Sequence, residues 1–455
     1  MVNDREGLID NLKVRADGSG QVSHAGSALL IGVADRIGLT RALREAMAPT
    51  RQRRSAHDPG VVLRDLVVTL ADGGECLSDL AALRDQPDLF GAVPSDPTAF
   101  RVVDSIDEAG LERLREAVKG PRARVRELAG SAGEGERSLP ARTVIDTDAT
   151  LTGSHSDKEG AAGNFKGGFG HHPLLAYEDG IGEALAGELR PGNAGSNTAA
   201  DHIEVLDLAL EQLDQEQLDG EILVRADGAG ASHELATYCD EAGMRFSFGF
   251  DLTEEVREAI TTLPEAAWER AIRADGSERE RSQVAEITDR YEPVAGWPEG
   301  SRLLARRTKL REGEQSSFDD HEGYRLAVFI AAQRGTVPEC DLDHRGHARV
   351  EGRIREGKDC GLENLPFQSF QHNRIWLWAV MLAQDLIAWT KALCLAEQER
   401  FLELKRLRYR MLHQSGRIAR HARQRVLRLA SGWPWSANLE AAFARLRALP
   451  PPALA

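Results

Sequence analysis

The stretch TVIDTDATLTGSH, residues 143–155, decides the fold that we predict for this chain. Its first half alternates apolar and polar residues after a β-branched pair, which is typical of a half-buried strand. Asp146 and Asp148 are two residues apart, so a strand directs both carboxylates to the same face. Because Asp is also a common turn residue, this strand end gains meaning only from acidic residues elsewhere in the chain.

The composition predicts a globular protein with several structural units. A chain of 455 residues exceeds one ordinary core, so about two to four units are expected. The apolar fraction of 42% is sufficient for globular folding, and five scattered cysteines without a Cys-x2-Cys pair favour reduced thiols. The N-terminus lacks the pattern of a secretion signal, which favours a cytoplasmic protein. Residues 375–396 are apolar but include Asp385 and Lys391, which favours a buried helix over a membrane span.

The distribution of charge is more informative than the net charge of −15. Residues 341–428 contain seventeen Lys and Arg against ten Asp and Glu, and residues 404–428 contain nine Lys and Arg without an acid. A local basic surface suffices for phosphate binding even on an acidic protein. We therefore predict a basic helical C-terminal tail that contacts nucleic acid.

The order of patterns predicts an α/β fold, with a mixed sheet flanked by helices. The N-terminal part is predicted to be helical. It either reads DNA or, as we favour, forms a helical cap. It ends in a Gly-rich and charged linker at 121–139. Strands are predicted at 143–148, 172–177, 183–189, 221–226 and 244–249, with helices at 198–213 and 230–241. A mostly β insertion and helices at 338–358 and 369–396 follow. The predicted units are 1–130, 140–250, 251–336, 337–400 and 401–455.

Two further acidic positions accompany the first strand. Asp227 follows strand 221–226 and precedes Gly-Ala-Gly, at the end of a strand where α/β folds place ligands; the alternative is an ordinary turn Asp. On a helix, His344, Glu351 and Lys358 fall on one face because seven residues make almost two turns. The alternative for this segment is a solvated, charged helix, and two glycines weaken the predicted helix.

Together these segments resemble the DDE transposases of bacterial insertion sequences. The resemblance rests on IDTDATLTGSHSDKEGAAGNFKGGFGHHPLLAY, LRPGNAGSNTAADHI, VRADGAGASHE and the helix with Glu351 and Lys358, in the family's order, and covers about residues 143–428. It is closest to the group with a Tyr-x2-Arg-x3-Glu-x6-Lys signature after an inserted β region. This chain departs from that signature, because His344 and His347 occupy its Tyr and Arg positions.

The resemblance implies an RNase H-like sheet with a catalytic triad of Asp148, Asp227 and Glu351, in which Asp146 competes with Asp148. Such a triad holds two Mg²⁺ ions, with Mn²⁺ as a substitute, that activate the attacking oxygen and stabilise the leaving oxygen of a phosphodiester. Asp148 would bridge both ions, while Asp227 and Glu351 would each bind one. Lys358, at the signature lysine, would hold a DNA phosphate as a point charge.

The resemblance also implies double-stranded DNA, as transposon ends and target, as the partner of a homodimer. Such a protein would cleave DNA at terminal inverted repeats and transfer the 3′-hydroxyl ends to target DNA. The alternative functions are an inactive or domesticated DNA-binding protein and an RNase H-like nuclease without strand transfer. We expect no membrane association and association with the nucleoid when the protein is bound to DNA. The predicted DNA contacts are Lys358, Arg349, Arg353, Arg355, Lys405, Arg406, Arg408 and Arg410.

For most of the remaining candidate site residues, we favour structural roles. His155, His171 and His172 lack a fourth ligand at zinc spacing, so loop or structural roles are expected. Lys158 either touches DNA or is an ordinary surface charge. Trp297 in the insertion either stacks on a displaced base or, as we favour, belongs to the core.

Overall fold

The computed structural model describes residues 12–51, 56–130, 142–195, 198–290, 296–315, 320–421 and 424–452. Its N-terminal part is helical, and local sequence explains where one of these helices begins. Asp58 caps α3 by accepting a hydrogen bond from the Gly60 amide at 3.0 Å, and Pro59 occupies the first helical position. After the short strand β1, Gln21–Val22, the helices are α1 Ser27–Arg36, α2 Leu39–Ala46, α3 Pro59–Asp72, α4 Ala81–Arg84, α5 Pro87–Phe90, α6 Asp96–Asp104 and α7 Glu108–Gly130.

Helix α7 corrects the predicted linker at 121–139. The helix continues through Pro121 to Gly130, and residues 131–139 lie outside the described residues. Arg122 is buried and pairs with Asp385 at 2.7 Å and with Glu183 at 3.3 Å. These tertiary contacts outweigh the cost of a proline inside a helix, which is about 3 kcal/mol.

The centre of the protein is the mixed sheet that the sequence predicts, so the α/β fold class is confirmed. Strands β2, Arg142–Ala149, and β8, Glu221–Ala226, are parallel neighbours, and β9 continues the parallel part. Antiparallel β6 and β7 lie on the other side of β2, which gives the RNase H-like order β7-β6-β2-β8-β9. The remaining elements up to this point are β3 Thr152–Gly153, β4 Ala162–Gly163, β5 Phe169–His171, β6 Leu174–Glu178, β7 Ala184–Glu188, α8 Ala199–Leu210, α9 Gln215–Asp219, α10 His233–Glu241 and β9 Arg245–Phe250.

The inserted region extends this same sheet. Strand β14 pairs antiparallel with β9, and the sheet continues through β12 and β11 to β10. Apolar residues such as Leu303 and Ile330 join the core on one face of these strands. The elements are α11 Glu254–Thr261, β10 Glu269–Ile272, β11 Glu278–Glu286, β12 Arg302–Lys309, β13 Asp320–His321 and β14 Tyr324–Ala331.

Helix α14, Phe370–Cys394, is the core helix that residues 375–396 predict. It packs on β7 and against α1, α3 and α7, and Trp376 and Trp389 are fully buried. Within the described residues it is the one helix long and apolar enough to cross a membrane, but 78% of its apolar window is buried inside the protein. The N-terminal helices therefore share one core with the helices that follow the sheet.

The C-terminal tail is only partly helical, which corrects the predicted basic helical tail. After α15 Glu397–Arg400 and α16 Leu404–Leu407, a π-helical turn leads into the hairpin of β15 Gly416–His421 and β16 Gln424–Leu429. This hairpin pairs with β1, and α17 Ser436–Ala448 follows. Across the hairpin, Ile418 pairs with Leu427, and the adjacent Arg417 pairs with Arg428. Apolar and charged residues therefore alternate along each strand, which is the period of a β-strand.

Candidate active site

Asp148 and Asp227 leave neighbouring strands side by side. The parallel register pairs Thr147 of β2 with Ala226 of β8, and each aspartate is the next residue along its strand. Asp227 is then held by the glycine-rich turn, since its Oδ1 accepts hydrogen bonds from the amides of Ala229 at 3.0 Å and Gly230 at 3.1 Å. Asp227 therefore also has the role of a turn aspartate, which was its alternative interpretation. Among the described residues, no hydrogen bond to its Oδ2 is found.

Glu351 approaches this pair from helix α13, Arg349–Gly357, which contacts β2. The three acids interact electrostatically, and Asp148 shows this most clearly. Burial, which is the largest cause, and the negative charges of Asp227 and Glu351 together raise the pKa of Asp148 to about 6, although His347 opposes the rise. The structure thus brings the three predicted acids into one electrostatic neighbourhood.

Asp146, the competitor of Asp148, is occupied by protein partners. Arg225 binds it with two hydrogen bonds, from Nε to Oδ1 at 2.8 Å and from Nη2 to Oδ2 at 2.7 Å. The His347 Nδ1 lies 2.9 Å from the same Oδ1. Both members of this salt bridge are buried, with exposed side-chain fractions of 0% and 2%. Asp146 therefore joins β2 to β8, whereas no salt bridge of Asp148 is found among the described residues.

The predicted helix 338–358 is two helices, which corrects the expected common face of His344, Glu351 and Lys358. α12, Val337–Gly346, ends before His347, and α13 begins at Arg349. The Arg225 guanidinium lies directly beside Gly346. A Cβ at this position would lie 2.1 Å from Arg225 Nη1, so glycine leaves the space that the guanidinium occupies. The break lets His347 reach Asp146.

His344 packs against the core. Its ring stacks on Phe329 with centroids 4.3 Å apart, and its Nδ1 lies 3.0 Å from the Ser247 hydroxyl. Burial lowers the pKa of His344 well below its usual value, and the neighbouring positive charges lower it further. The imidazole is accordingly neutral, and it does not contribute the hydroxyl of the family's tyrosine.

Two predicted DNA contacts are engaged within the protein. Arg349 and Arg353 both bind Asp179, which also pairs with Arg225 at 2.8 Å. Although burial opposes the change, the hydrogen bond from Arg349 and the charges of the other arginines lower the pKa of Asp179 to about 2. Together with Asp146, these residues form an ionic network that is mostly buried, with Arg349 on its exposed side. We call this set, Asp146, Asp179, Arg225, Arg349 and Arg353, the brace.

Arg225 and Asp179 are not among the residues predicted from the sequence. The sequence does contain a signal for Arg225. Arg225 lies two residues before Asp227, just as Asp146 lies two residues before Asp148. On parallel neighbours in this register, the two residues must lie opposite each other. Asp179 follows strand β6 and has no comparable signal in the sequence.

Arg408, another predicted DNA contact, is engaged within the protein. Its side chain is buried, and it donates to the carbonyl oxygens of Ala71 at 2.9 Å, Leu70 at 3.0 Å and Asp359 at 2.9 Å. It ties the C-terminal region to the end of α3 and to the turn after α13. The sequence cannot separate this arginine from its neighbours because all lie in one basic run.

The other predicted basic contacts are more accessible. Lys358, half-buried at the start of the π-helical turn 358–362, has no hydrogen-bond or ion-pair partner within the described ranges. Arg355 pairs with Glu403 at 3.3 Å on the surface, and Lys405 pairs with Asp359 at 3.1 Å. Arg406 is exposed, and the Arg410 guanidinium lies 4.8 Å from the centre of the Trp435 ring.

The remaining candidates have structural surroundings. His171 and His172 bind different backbone carbonyls, those of Glu159 and Ala194, each at 3.1 Å. Lys158 donates to the Leu365 carbonyl. Trp297 packs on Phe246 and Phe250 and on the core behind them, as the core interpretation predicts.

The three acids have the ligand chemistry of a site for a hard divalent cation, but their ligand atoms do not all lie within 4.8 Å of one another. Asp148, Asp227 and Glu351 offer only carboxylate oxygens, which are the ligands that Mg²⁺ and Mn²⁺ prefer. Their mutual repulsion, seen in the raised pKa of Asp148, is the electrostatic condition that a bound cation relieves.

Comparison with known proteins agrees with the resemblance. A family model described as "Transposase DDE domain group 1" matches residues 6–451. Among solved structures, the chain is similar to a piggyBac transposase in a cryo-EM synaptic complex with hairpin DNA, at 11% identity, with 85% of this chain and 80% of that chain covered and a TM-score of 0.41. No curated protein matches the sequence. Because the family model spans nearly the whole sequence, the chain belongs to the transposase family with the group 1 DDE domain.

Proposed function

We propose that this transposase cuts DNA strands at the ends of its element and joins the freed 3′-hydroxyls to target DNA. The proposal assigns metal binding to Asp148, Asp227 and Glu351. The observation that carries it is the register that places Asp148 and Asp227 at neighbouring positions of β2 and β8, and the charges of Asp227 and Glu351 add to burial in raising the pKa of Asp148. Two Mg²⁺ ions bound there would supply an activated oxygen nucleophile and a stabilised leaving oxygen.

The residues around the acids have distinct tasks in this proposal. The brace fixes the ends of β2 and β8, so that Asp148 and Asp227 keep their spacing before DNA binds. His347 stays on Asp146 and its charge favours the ionised form of Asp148. Lys358 offers an ammonium without a described protein partner, which suits a phosphate of the strand being cut.

A basic β-ribbon supports binding of the DNA backbone. In the hairpin, Arg417 lies directly opposite Arg428, and Arg420 lies opposite Arg425. Arg420 pairs with Asp88 at 2.5 Å, whereas Arg417, Arg425 and Arg428 are exposed and have no acidic partner in the part of the chain that the structure describes. Like charges placed opposite each other are destabilising unless an anion lies beside them. We assign phosphate binding to this ribbon.

Cleavage of element-end DNA by acid-to-amide variants tests the assignment. Asp227→Asn and Glu351→Gln should abolish Mg²⁺-dependent cleavage while retaining DNA binding, because each removes one negative ligand and keeps the shape of the side chain. Glu363→Gln, at an exposed glutamate after the π-helical turn, is the matched control and should cleave normally. Persistent cleavage in both amide variants would show that the triad is misassigned.

A nuclease without strand transfer is the second candidate, and the two histidines favour it. The family's Tyr and Arg positions hold His344, which is buried against Phe329, and His347, which is bound to Asp146. Neither offers the phosphate contact expected of the signature. A strand-transfer assay with pre-cut ends separates the candidates: joined products support the transposase, whereas cutting of intact ends without joining supports the nuclease.

The proposed transposase pairs two element ends, which requires two copies of the chain. Light scattering of the protein with a short end duplex should give the mass of two chains and two duplexes. A complex of one chain with one duplex at all concentrations would contradict pairing of ends by this protein.

A further inference from the structure

Three potential metal ligands from distant parts of the sequence meet at the end of α3. Asp72 is the last residue of that helix, His24 lies in the turn before α1, and His413 follows the π-helical turn 408–412. One ligand atom from each lies within 4.8 Å of the other two. Among the described residues, no other three His, Cys, Asp or Glu side chains form such a group. None of the three belongs to the carboxylate site.

We propose that His24, Asp72 and His413 bind one divalent transition-metal ion, for which Zn²⁺ is the best match. Two imidazoles and one carboxylate are ligands of borderline softness, which suit zinc and its neighbours, whereas Mg²⁺ takes oxygen ligands. Three protein ligands leave a fourth position for water, and the partly exposed histidines admit solvent there.

The positions of the donor atoms agree with this chemistry. His413 Nε2 lies 3.2 Å from Asp72 Oδ1, and His24 Nδ1 contacts Asp72 Oδ2. Tetrahedral zinc with bonds of about 2.0 Å places neighbouring donor atoms about 3.3 Å apart. The two imidazole rings lie side by side, with centroids 4.3 Å apart and an interplanar angle of 35°.

The surroundings hold the ligands in place before an ion binds. The Asp72 carboxylate is buried, and its Oδ1 accepts a hydrogen bond from the Ser27 hydroxyl at 2.5 Å, an outer contact of the kind that orients metal ligands. His24 has a φ of +53°, a left-handed conformation that non-glycine residues rarely adopt. Backbone hydrogen bonds from Ala25 to Gln414 and from Gly26 to Leu412 keep this turn beside His413.

The nearby positive charge of Arg408 does not exclude the ion. Arg408 donates to the carbonyls of Leu70 and Ala71, next to Asp72. The cluster of two protonated imidazoles and the ionised Asp72 carboxylate carries a net charge of +1. A divalent ion bound by two neutral imidazoles and the same carboxylate gives the same net charge. His413 Nε2 also lies 2.9 Å from the Asp72 carbonyl oxygen, so the ion replaces a proton in this contact.

A bound ion would join three separate segments. It would link the turn between β1 and α1, the end of α3, and the segment that leads into the basic hairpin. Since β1 pairs with β15, the ion would lie at the base of the sheet that carries the exposed arginines. The proposed role is therefore to fix the hairpin on the helical core.

Metal analysis of the full-length protein without a polyhistidine tag tests the proposal. The Asp148→Asn background keeps ions at the carboxylate site from being counted. After purification without chelator, mass spectrometry of metals should find one Zn²⁺ per chain, and Co²⁺ added to the stripped protein should give visible absorption bands. His24→Gln and His413→Gln should each lower Zn²⁺ affinity by about 100-fold or more. His155→Gln, at an exposed loop histidine, is the control and should bind as its parent does.

Thermal unfolding of the parent protein gives a result that does not depend on the variants folding. Zn²⁺ should raise the melting temperature of the stripped protein, and the increase should saturate at one equivalent. Folded parent protein that binds no stoichiometric Zn²⁺, shows no Co²⁺ bands and keeps its melting temperature would overturn the proposal. An equal loss of affinity in His155→Gln would also overturn it.

Discussion

Two aspartates of one strand, Asp146 and Asp148, differ in role because of one arginine. The sequence predicts that both face the same side, but it leaves their order of importance open. Arg225 and His347 occupy both oxygens of Asp146, while Asp148 faces Asp227 and Glu351. The choice could not be read from the strand alone, because it depends on the partner strand's register and on a helix break some 200 residues later.

Amide substitutions should separate the two aspartates by stability. Asp146→Asn leaves the buried Arg225 guanidinium with Asp179 as its remaining acidic partner, which should cost up to roughly 3–5 kcal/mol of unfolding free energy. Asp148→Asn removes a repelled charge and should leave the metal-free protein equally or more stable. Urea denaturation of both variants measures the difference. The opposite order of stabilities would show that Asp148 is the structural residue.

The raised pKa of Asp148 predicts how pH affects the metal-free protein. A carboxyl group with a raised folded pKa contributes stability that is fully present below its unfolded pKa of about 4 and is lost as pH rises through about 6. The stability of the parent protein relative to Asp148→Asn should therefore fall between pH 4 and 6 in EDTA. Urea denaturation across this range, repeated with Mg²⁺, should show that the ion reduces the fall. A relative stability that stays flat in EDTA would contradict the prediction.

At the scale of elements, the sequence predicts well wherever local pattern and tertiary packing agree. The strands at 143–148 and 221–226 and the helix at 369–396 appear within two residues of their predicted ends. The predicted helix 338–358 was wrong in its middle, where α12 ends at Gly346 and α13 begins at Arg349. The predicted helical tail was wrong at 416–429, where the chain forms a hairpin that pairs with β1, almost 400 residues earlier.

The hairpin arginines should contribute salt-dependent DNA binding. Arg417→Ala combined with Arg428→Ala should lower the slope of log affinity against log salt by about two, because about two phosphate contacts are lost. Arg311→Ala combined with Arg325→Ala, in the inserted strands and their loop, removes the same charge and serves as the control. Fluorescence anisotropy with an end duplex at several salt concentrations measures the slopes. Equal slopes for the two double variants would argue against a specific role of the hairpin.

At the scale of the molecule, packing unites parts that the sequence presents as separate. The linker expected near residue 121 is helix, and Arg122 inside it joins two buried acids. Burial raises the pKa of Glu183 and Asp385, and the charge of Arg122 opposes this rise. The basic hairpin on an acidic protein likewise shows why net charge alone does not predict the partner.

The shared core predicts that the N-terminal helices do not fold alone. A fragment of residues 1–130 lacks α14, whose buried face covers α1, α3 and α7. We expect low helicity and no cooperative melting for this fragment by circular dichroism, whereas the full chain should melt cooperatively. A fragment with full helical signal and a sharp transition would show an independent N-terminal domain.

The central claim is that acids from two strands and one helix bind the ions that cut DNA. Metal rescue of Asp148→Cys tests it most directly, because a thiolate binds Mg²⁺ poorly and accepts softer ions such as Mn²⁺ more readily. We predict that this variant cleaves end DNA in Mn²⁺ and not in Mg²⁺, while the parent protein cleaves in both. Unchanged cleavage by the variant in Mg²⁺ would contradict the account.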